Sequence, residues 1–171
     1  MKNTKHLALS AVLLSLALTL SYAERLIPLQ LVIPLPGVKL GLANIVTMIA
    51  LYLFGMKTAG VILVLRCLLA SVFGGGITGF LFSLTGGTLA LVIMALMKKT
   101  GFFSVYGVSI FGAAAHNTGQ IFVSAVLMHS SRIFFYLPYL LIVALLTGFV
   151  TGSASGSVLG ILSHIEKSGS D

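Results

Sequence analysis

The feature that most constrains this chain is its series of long apolar runs. Short stretches that contain nearly all of the charge separate these runs. Hydrophobic residues make up 58% of the 171 positions and charged residues only 8%. A water-soluble domain of this size has no such excess, so the composition is typical of a protein embedded in a lipid bilayer. Because a membrane-spanning helix needs about 20 apolar residues, six spans would use roughly 120 positions and are close to the maximum.

The runs predict an all-α integral membrane protein, a single domain built as a bundle of six transmembrane helices. The predicted spans are 7–23, 40–56, 58–73, 79–97, 105–128 and 133–158. The first connection, 24–39, is apolar but contains three of the four prolines, which prevent a regular helix. Irregular backbone exposed to lipid would leave amide groups unsatisfied, so this loop either covers a cavity as an outer lid or connects the helices at the interface.

Basic residues predict that both termini face the cytoplasm and that the chain crosses the cell membrane several times. With the N-terminus inside, six basic residues flank the spans on the cytoplasmic side and three on the outer side. The inner set is Lys2, Lys5, Lys57, Lys98, Lys99 and Lys167, and the outer set is Arg25, Lys39 and Arg132. The first run also fits a cleaved signal peptide that ends near Ala23. We expect it to be retained, because the residues that follow are too apolar to begin a mature soluble protein.

The residue types that are missing exclude several classes of chemistry. The only acids are Glu24, Glu166 and Asp171, and none lies within an apolar run, so neither a magnesium-diphosphate site nor a paired-carboxylate hydrolase is expected. Cys67 is the single cysteine, and there is no GxxxxGK[ST] phosphate loop. We therefore expect no catalytic residue, metal or cofactor, and ATP hydrolysis would require a partner. The net charge of +7 is explained by membrane topology and does not indicate nucleic acid.

Arg66 is the one basic residue inside a predicted span. It lies about eight positions from either end of the third run, roughly 12 Å deep at a rise of 1.5 Å per residue. An ionisable side chain at this depth is costly and suggests a function. Since no acid is expected within the spans, its partner should be backbone carbonyl groups, water, a second protein or an anionic ligand, and we favour the ligand.

Other spans place polar side chains in the outer half of the bilayer, at a similar depth. The fifth span contains His116, Asn117 and Gln120, of which His116 and Gln120 share one helix face. Asn44 in the second span and Thr85 in the fourth belong to the same layer. The inner halves are nearly pure Leu, Val, Ile, Met and Ala, so the pattern predicts an outward-facing binding cavity.

Three segments of the sequence resemble the Gx transporter family, whose members are often described as heptaprenyl diphosphate synthase component I. They are Pro36 to Val46 (PGVKLGLANIV), Leu65 to Ser71 (LRCLLAS) and Ala115 to Gln120 (AHNTGQ), and the resemblance covers nearly the whole chain. It implies a membrane protein similar to the substrate-binding S components of energy-coupling factor (ECF) vitamin transporters. These components have six helices and an outward-facing pocket closed by the first loop, and they work with a membrane coupling subunit and cytosolic ATPases.

The same resemblance implies docking on the coupling subunit through the first helix, where S components typically have an Ala-x-x-x-Ala pattern. This chain has Ala11 with Ser15, and Ala17 with Ser21, at that spacing. Both pairs are small enough for close helix packing. A dedicated partner that is not an ATPase is the alternative.

The sequence thus predicts a substrate-binding subunit that captures a small anionic or amphiphilic molecule for ATP-driven uptake, either a vitamin or an isoprenoid or quinone precursor. Arg66 would bind the anionic group, and Lys39 would add positive charge at the mouth. The remaining contacts would come from Asn44, His116, Asn117 and Gln120. The alternative is a scaffold or accessory subunit of a quinone, prenyl-lipid or electron-transfer system, whose polar residues contact a neighbouring protein. An intramembrane prenyl-processing enzyme is disfavoured, because no embedded acid would hold a metal diphosphate.

Overall fold

The computed structural model of the protein describes residues 2–26 and 39–168, with side-chain surroundings for 4–26 and 39–164. Throughout these residues all regular structure is helical. The six α-helices are α1 (Lys2–Arg25), α2 (Asn44–Phe54), α3 (Met56–Ala70), α4 (Gly76–Thr100), α5 (Val105–Leu127) and α6 (Leu137–Ser168). A π-helical turn (Ser71–Gly75) joins α3 to α4, and a 3-10 turn (Ser131–Tyr136) precedes α6.

Glycines with positive φ make two of the connections short. Gly55, with φ +81°, is the single residue between α2 and α3. Gly74, with φ +98°, lies in the π-turn, and Gly76, with φ +60°, is the first residue of α4. Glycine has no Cβ and adopts these conformations without strain. The chain therefore reverses sharply at both points, which places consecutive helices side by side.

Three helical stretches are long and apolar enough to cross a membrane: Thr4–Arg25, Met56–Thr100 and Ser131–His164. The second is 45 residues long and contains both α3 and α4. α2 is apolar but has only 11 residues, and α5, with 23 residues, has polar side chains in its middle. Among the described residues, the chain is thus an all-helical membrane protein with three candidate membrane-spanning helices.

Each of the six predicted runs corresponds to one helix, but four helix ends differ from the prediction by four residues or more. α1 begins at Lys2 instead of residue 7, and α6 begins at Leu137 instead of residue 133, after the 3-10 turn. α2 begins at Asn44 instead of residue 40, because Gly41, with φ +82°, belongs to an irregular segment that precedes it. α6 continues to Ser168, well beyond 158, since the residues that follow the Gly- and Ser-rich stretch 151–157 remain helical. The predicted lid falls mostly on 27–38, outside the described residues.

α2 lies at the centre of the bundle and contacts each of the other five helices. Seven of its 11 residues are buried, namely Asn44 and the run from Val46 to Leu51. The surrounding core includes Leu13 of α1, Leu63 of α3, Met94 of α4 and Val108 of α5. Because α2 touches every other helix, side chains near its first turn can meet groups from the whole bundle.

Glycines bring α4, α5 and α6 into direct backbone contact. A Cβ on Gly148 of α6 would lie 2.6 Å from Ile110 Cα of α5, and a Cβ on Gly119 of α5 would lie 2.9 Å from Gly86 Cα of α4. No side chain fits in these spaces. Such close approach stabilises helix pairs in lipid through van der Waals contact between the backbones.

A buried hydroxyl pair joins α5 to α6 near the start of α5. The hydroxyl groups of Ser109 and Thr151 form a hydrogen bond of 2.7 Å, and both residues are buried. Ser109 belongs to the predicted inner half, which the sequence describes as nearly pure Leu, Val, Ile, Met and Ala. The pair is tolerated because each hydroxyl satisfies the other.

Replacing Gly148 with Ala should destabilise the protein by about 1–3 kcal/mol, because the new methyl group overpacks the α5–α6 crossing. Gly160→Ala in the same helix is the matched control, since nothing lies within 4 Å of its added Cβ. That control should be neutral or stabilising, because Ala favours helix more than Gly. Thermal unfolding of both variants in one mild detergent makes the comparison, and equal midpoints would contradict the close crossing.

Candidate functional site

Polar side chains from five helices, together with one from the segment before α2, meet around the middle of α5. The members of this polar cluster are Glu24, Lys39, Asn44, Arg66, Ser83, His116 and Gln120. Lys39 is half-buried, and every other member is at most 8% exposed. Lipid offers no hydrogen bonds, so polar groups in such a cluster depend on one another or on a bound molecule.

The backbone turn at Gly41 joins several members of the cluster. Gly41 has φ +82°, and its N–H donates to Oε1 of Glu24. A Cβ at this position would lie 2.9 Å from Asn44 Nδ2 and 3.1 Å from His116 Cδ2. Glycine is therefore required twice, for its positive φ and for the space it leaves. The turn holds the end of α1 against the start of α2 and against α5.

Lys39 is fixed through both its side chain and its backbone. Its Nζ donates to Ser83 Oγ at 2.6 Å. The hydrogen-bond network orients the Gln120 amide so that its oxygen accepts from Lys39 N–H at 3.1 Å and from His116 Nε2 at 3.0 Å, while its nitrogen donates to the Lys39 carbonyl at 3.2 Å. This assignment puts the imidazole hydrogen on Nε2 and leaves His116 Nδ1 as an acceptor. Burial lowers the pKa of the Lys39 ammonium, and the Glu24 carboxylate opposes that shift.

Arg66 is buried where α3 faces α4. Its side chain is 4% exposed, and its Nη2 lies 3.8 Å from Cys67 Sγ. A Cβ on Gly87 of α4 would lie 3.2 Å from the same Nη2. The absence of a side chain at Gly87 thus leaves room for the guanidinium group.

Glu24 is a member of the cluster that the sequence did not predict. It is the penultimate residue of α1 and is 4% exposed. Its carboxylate accepts from the N–H of Gly41, two positions after Lys39. The sequence led us to expect no acid within the spans, whereas the structure buries Glu24 at the end of α1, inside the bundle. One signal was available in the sequence: Glu24 directly follows the first apolar run.

Three polar atoms of the cluster have no hydrogen-bond partner among the described residues: Asn44 Oδ1, Arg66 Nε and His116 Nδ1. They come from α2, α3 and α5, and are referred to below as the three open atoms. A buried polar atom without a partner costs about 1–3 kcal/mol. Three of them in one cluster make this the candidate binding site.

Two residues predicted for the site lie elsewhere. Asn117 Nδ2 donates to the Leu140 carbonyl of α6 at 2.8 Å, so this side chain links α5 to α6. Thr85 lines a groove of about 580 Å³ between α4 and α5, together with Thr88 and Thr118. Ser83, which was not predicted, takes the place in the cluster expected for Thr85, because positions two apart on a helix point in nearly opposite directions.

The cluster contains two cations, Lys39 and Arg66, and one acid, Glu24. Arg25 is close by, but its guanidinium donates to two carbonyl groups at the end of α3 and in the π-turn, one of them Phe73 at 2.9 Å. Nowhere in 2–26 and 39–168 do three His, Cys, Asp or Glu side chains gather as metal ligands. The groups present therefore offer positive charge and hydrogen bonds to a bound molecule.

The two predicted docking pairs of α1 differ in their exposure. Ala11 and Ser15 are exposed, whereas Ala17 and Ser21 are 1% and 7% exposed and lie inside the bundle. Only the first pair is accessible to a partner in this conformation.

Replacing Asn117 with Ala should lower the free energy of unfolding by about 1–3 kcal/mol, because it removes a buried hydrogen bond that links α5 to α6. Asn44→Ala is the matched change, and its effect should be smaller, since Asn44 Oδ1 has no partner within the described part of the chain. Unfolding of both variants in one detergent, without added ligand, tests this. A larger loss for Asn44→Ala would contradict the distinction between the two asparagines.

Comparison with known proteins supports a membrane role. Neither the curated proteins nor the solved structures gave a match to this chain. The family model described as heptaprenyl diphosphate synthase component I matches residues 13–158. This match extends from α1 into α6 and confirms the resemblance carried by the three sequence segments. The protein, an all-helical membrane component with a buried polar cluster, therefore belongs to the heptaprenyl diphosphate synthase component I family, a Gx transporter family.

Proposed function

We propose that this protein is the substrate-binding membrane subunit of an uptake system, similar to an ECF S component. It captures a small anionic or amphiphilic molecule from the outer side of the cell membrane and binds it at the polar cluster. All six helices cross the membrane in this proposal, and both termini lie in the cytoplasm. The family match supports a membrane component that works with other subunits.

The surroundings of Arg66 are the observation that supports this function most strongly. Its side chain is 4% exposed, and among the described residues its Nε has no hydrogen-bond partner. A buried charge with incomplete partners is destabilising, so an apolar side chain would serve pure packing better. An anionic ligand would supply the missing acceptor and a charge-assisted hydrogen bond.

The other two open atoms indicate which chemical groups the ligand should have. Asn44 Oδ1 and His116 Nδ1 are both acceptors. A molecule that has an anionic group and a nearby O–H or N–H group satisfies all three open atoms, whereas a plain fatty chain satisfies none. A vitamin and an isoprenoid or quinone precursor can both present such groups.

The ends of the bundle support the proposed orientation. Lys57 near the start of α3 and Lys98 and Lys99 near the end of α4 form a basic end. The positive-inside rule places this end in the cytoplasm. The proposed lid, 24–39, lies mostly outside the described residues, but its two described ends, Glu24 and Lys39, both belong to the polar cluster.

Uptake against a gradient needs energy from partners. The chain has no phosphate loop of the GxxxxGK[ST] type. We therefore include a membrane coupling subunit and cytosolic ATPases in the proposal, with the exposed Ala11 and Ser15 of α1 as the docking position. The chain itself performs no reaction in this account and has no nucleic-acid partner.

Replacing Arg66 with Ala should remove the ligand from protein purified in mild detergent from its own organism. Loss of a buried charge contact costs about 3 kcal/mol or more, which is over a hundredfold in affinity. Native mass spectrometry measures the ligand-bound fraction and every subunit that co-purifies. The account predicts one stoichiometric ligand on the wild type and none on Arg66→Ala.

Arg132→Ala is the control, because it removes an exposed arginine from the 3-10 turn before α6. It should leave the ligand-bound fraction unchanged. Equal occupancy in the wild type and Arg66→Ala would refute the role of Arg66. A wild-type protein that carries no ligand and co-purifies with a redox or prenyl-lipid enzyme would favour the accessory-subunit alternative.

A further inference from the structure

The start of α3 lies between two apolar grooves, which are called the flanking grooves below. The groove between α1 and α3 has a volume of about 390 Å³, and the groove between α3 and α4 one of about 490 Å³. Apolar side chains line most of each groove. Lys57, Val61 and Leu65 line both, so α3 forms a ridge that separates two apolar channels with one shared charged end.

The flanking grooves extend through about the depth of one membrane leaflet. From Lys57 to Leu65 the helix rises about 12 Å, and half of a hydrocarbon core is about 15 Å. α1 and α3 run in the same direction, because the ring centroids of His6 and Phe54 lie 4.2 Å apart beside the start of α3, while Arg25 donates to the last residue of α3. The α1–α3 groove is therefore polar at one end and apolar along the rest of its length, as a lipid is.

The shared end of the flanking grooves has groups that bind anions. The Lys57 side chain is exposed there. α3 begins without a side-chain cap, and its first internal hydrogen bond runs from the Ala59 N–H to the Gly55 carbonyl. The N–H groups of the first three residues of α3 therefore have no partner within the helix, and a helix N-terminus of this kind attracts negative charge.

The described side chains at this end of the bundle carry positive charge. The basic residues are Lys5 of α1, Lys57 of α3, and Lys98 and Lys99 of α4. Lys98 Nζ donates to the Leu51 carbonyl, a neutral group that does not cancel its charge. Glu24, the only acid whose side-chain surroundings the structure describes, lies about 27 Å further along α1 than His6. The shared end is thus complementary to an anion.

Ser10 adds a hydrogen-bonding group within the α1–α3 groove. Its Oγ is buried and has no partner among the described residues. Ser10 lines the groove one helical turn beyond His6, which is about 6 Å deeper. In a phospholipid the ester groups lie below the phosphate, so an ester oxygen can accept from the Ser10 hydroxyl while the phosphate remains at Lys57.

We propose that the start of α3 binds an anionic diacyl phospholipid from the adjacent leaflet, which is the cytoplasmic leaflet in the proposed orientation. The phosphate lies at Lys57 and the free N–H groups of α3, an ester group lies at Ser10, and one acyl chain occupies each flanking groove. A partner helix fits less well, because it would span both leaflets and could enter only one of the two grooves. The site is separate from the polar cluster, so the inference does not depend on a ligand bound there.

Native mass spectrometry of the full-length protein in mild detergent tests the proposal directly. The probes, with identical acyl chains, are phosphatidylglycerol, which has one negative charge, and phosphatidylethanolamine, which is zwitterionic at neutral pH. A third probe, lysophosphatidylglycerol, has the anionic headgroup but a single chain. Lys57→Gln removes the proposed phosphate contact. Lys99→Gln is the matched control, because Lys99 is exposed at the same end but is not part of the lining of the flanking grooves.

We expect the wild type to bind phosphatidylglycerol about fivefold more tightly than phosphatidylethanolamine, the contribution of one lysine near a charged membrane surface. Lys57→Gln should lose most of this preference, and Lys99→Gln should retain it. Gly60→Leu tests the chains separately. A Cβ on Gly60 lies 3.8 Å from Leu91 Cδ2, an ordinary contact, so a leucine fits there and fills the α3–α4 groove while Lys57 stays in place. This variant should bind phosphatidylglycerol as weakly as the wild type binds the single-chain lipid.

Several results would overturn the inference. Equal binding of the two diacyl lipids by the wild type would refute it, and so would equal losses in Lys57→Gln and Lys99→Gln or unchanged binding by Gly60→Leu. Displacement of the lipid by an equal concentration of inorganic phosphate would assign the site to a soluble anion. Ala11 also lines the α1–α3 groove, so a co-purifying subunit that cross-links to Lys57, with no lipid bound, would assign this face to a partner. None of these results involves Arg66, so the proposed function is tested separately.

Discussion

Burial of the Arg66 guanidinium within a membrane protein is the constraint on which the rest of the site depends. A buried charge in a membrane protein is tolerated only where protein groups or a ligand replace the water it has lost. Gly87 leaves the necessary space, and Glu24 places a buried acid in the same cluster. Arg66 Nε still has no hydrogen-bond partner among the described residues, and this is the basis for assigning a binding role to the cluster.

The position of Glu24 depends in turn on an irregular segment inside the bundle. Non-helical backbone at membrane depth is stable only where it is buried in protein or lines a cavity. The residues around Gly41 meet this condition, because the N–H of Gly41 binds Glu24 and the backbone of Lys39 pairs with Gln120. This segment also explains why α2 is short: its helix begins only after the turn, beside the polar cluster. The same few residues thus determine the length of α2 and hold polar groups of α1 and α5 together.

Much of this arrangement could be predicted from the sequence, and the failures have physical causes. Apolar run length located all six helices, and the cost of polar groups in lipid identified Arg66, Asn44, His116 and Gln120. Glu24 was missed because an acid at the end of an apolar run is normally solvated at the interface, and only tertiary packing buries it here. The local sequence also cannot show that Asn117 faces away from the cluster to which His116 and Gln120 belong. One residue along a helix turns the side chain by about 100°, and the position of α6 decides that Asn117 binds Leu140 instead of joining the cluster.

The most direct test of the central claim is an experimental structure of the protein crystallised from its native membrane with its bound molecules retained. The account predicts density for an anionic group at hydrogen-bond distance from Arg66 Nε, with further contacts to Asn44 Oδ1 and His116 Nδ1. A structure in which a side chain of this protein or of a neighbouring subunit occupies that position, with no bound molecule in the cluster, would contradict it.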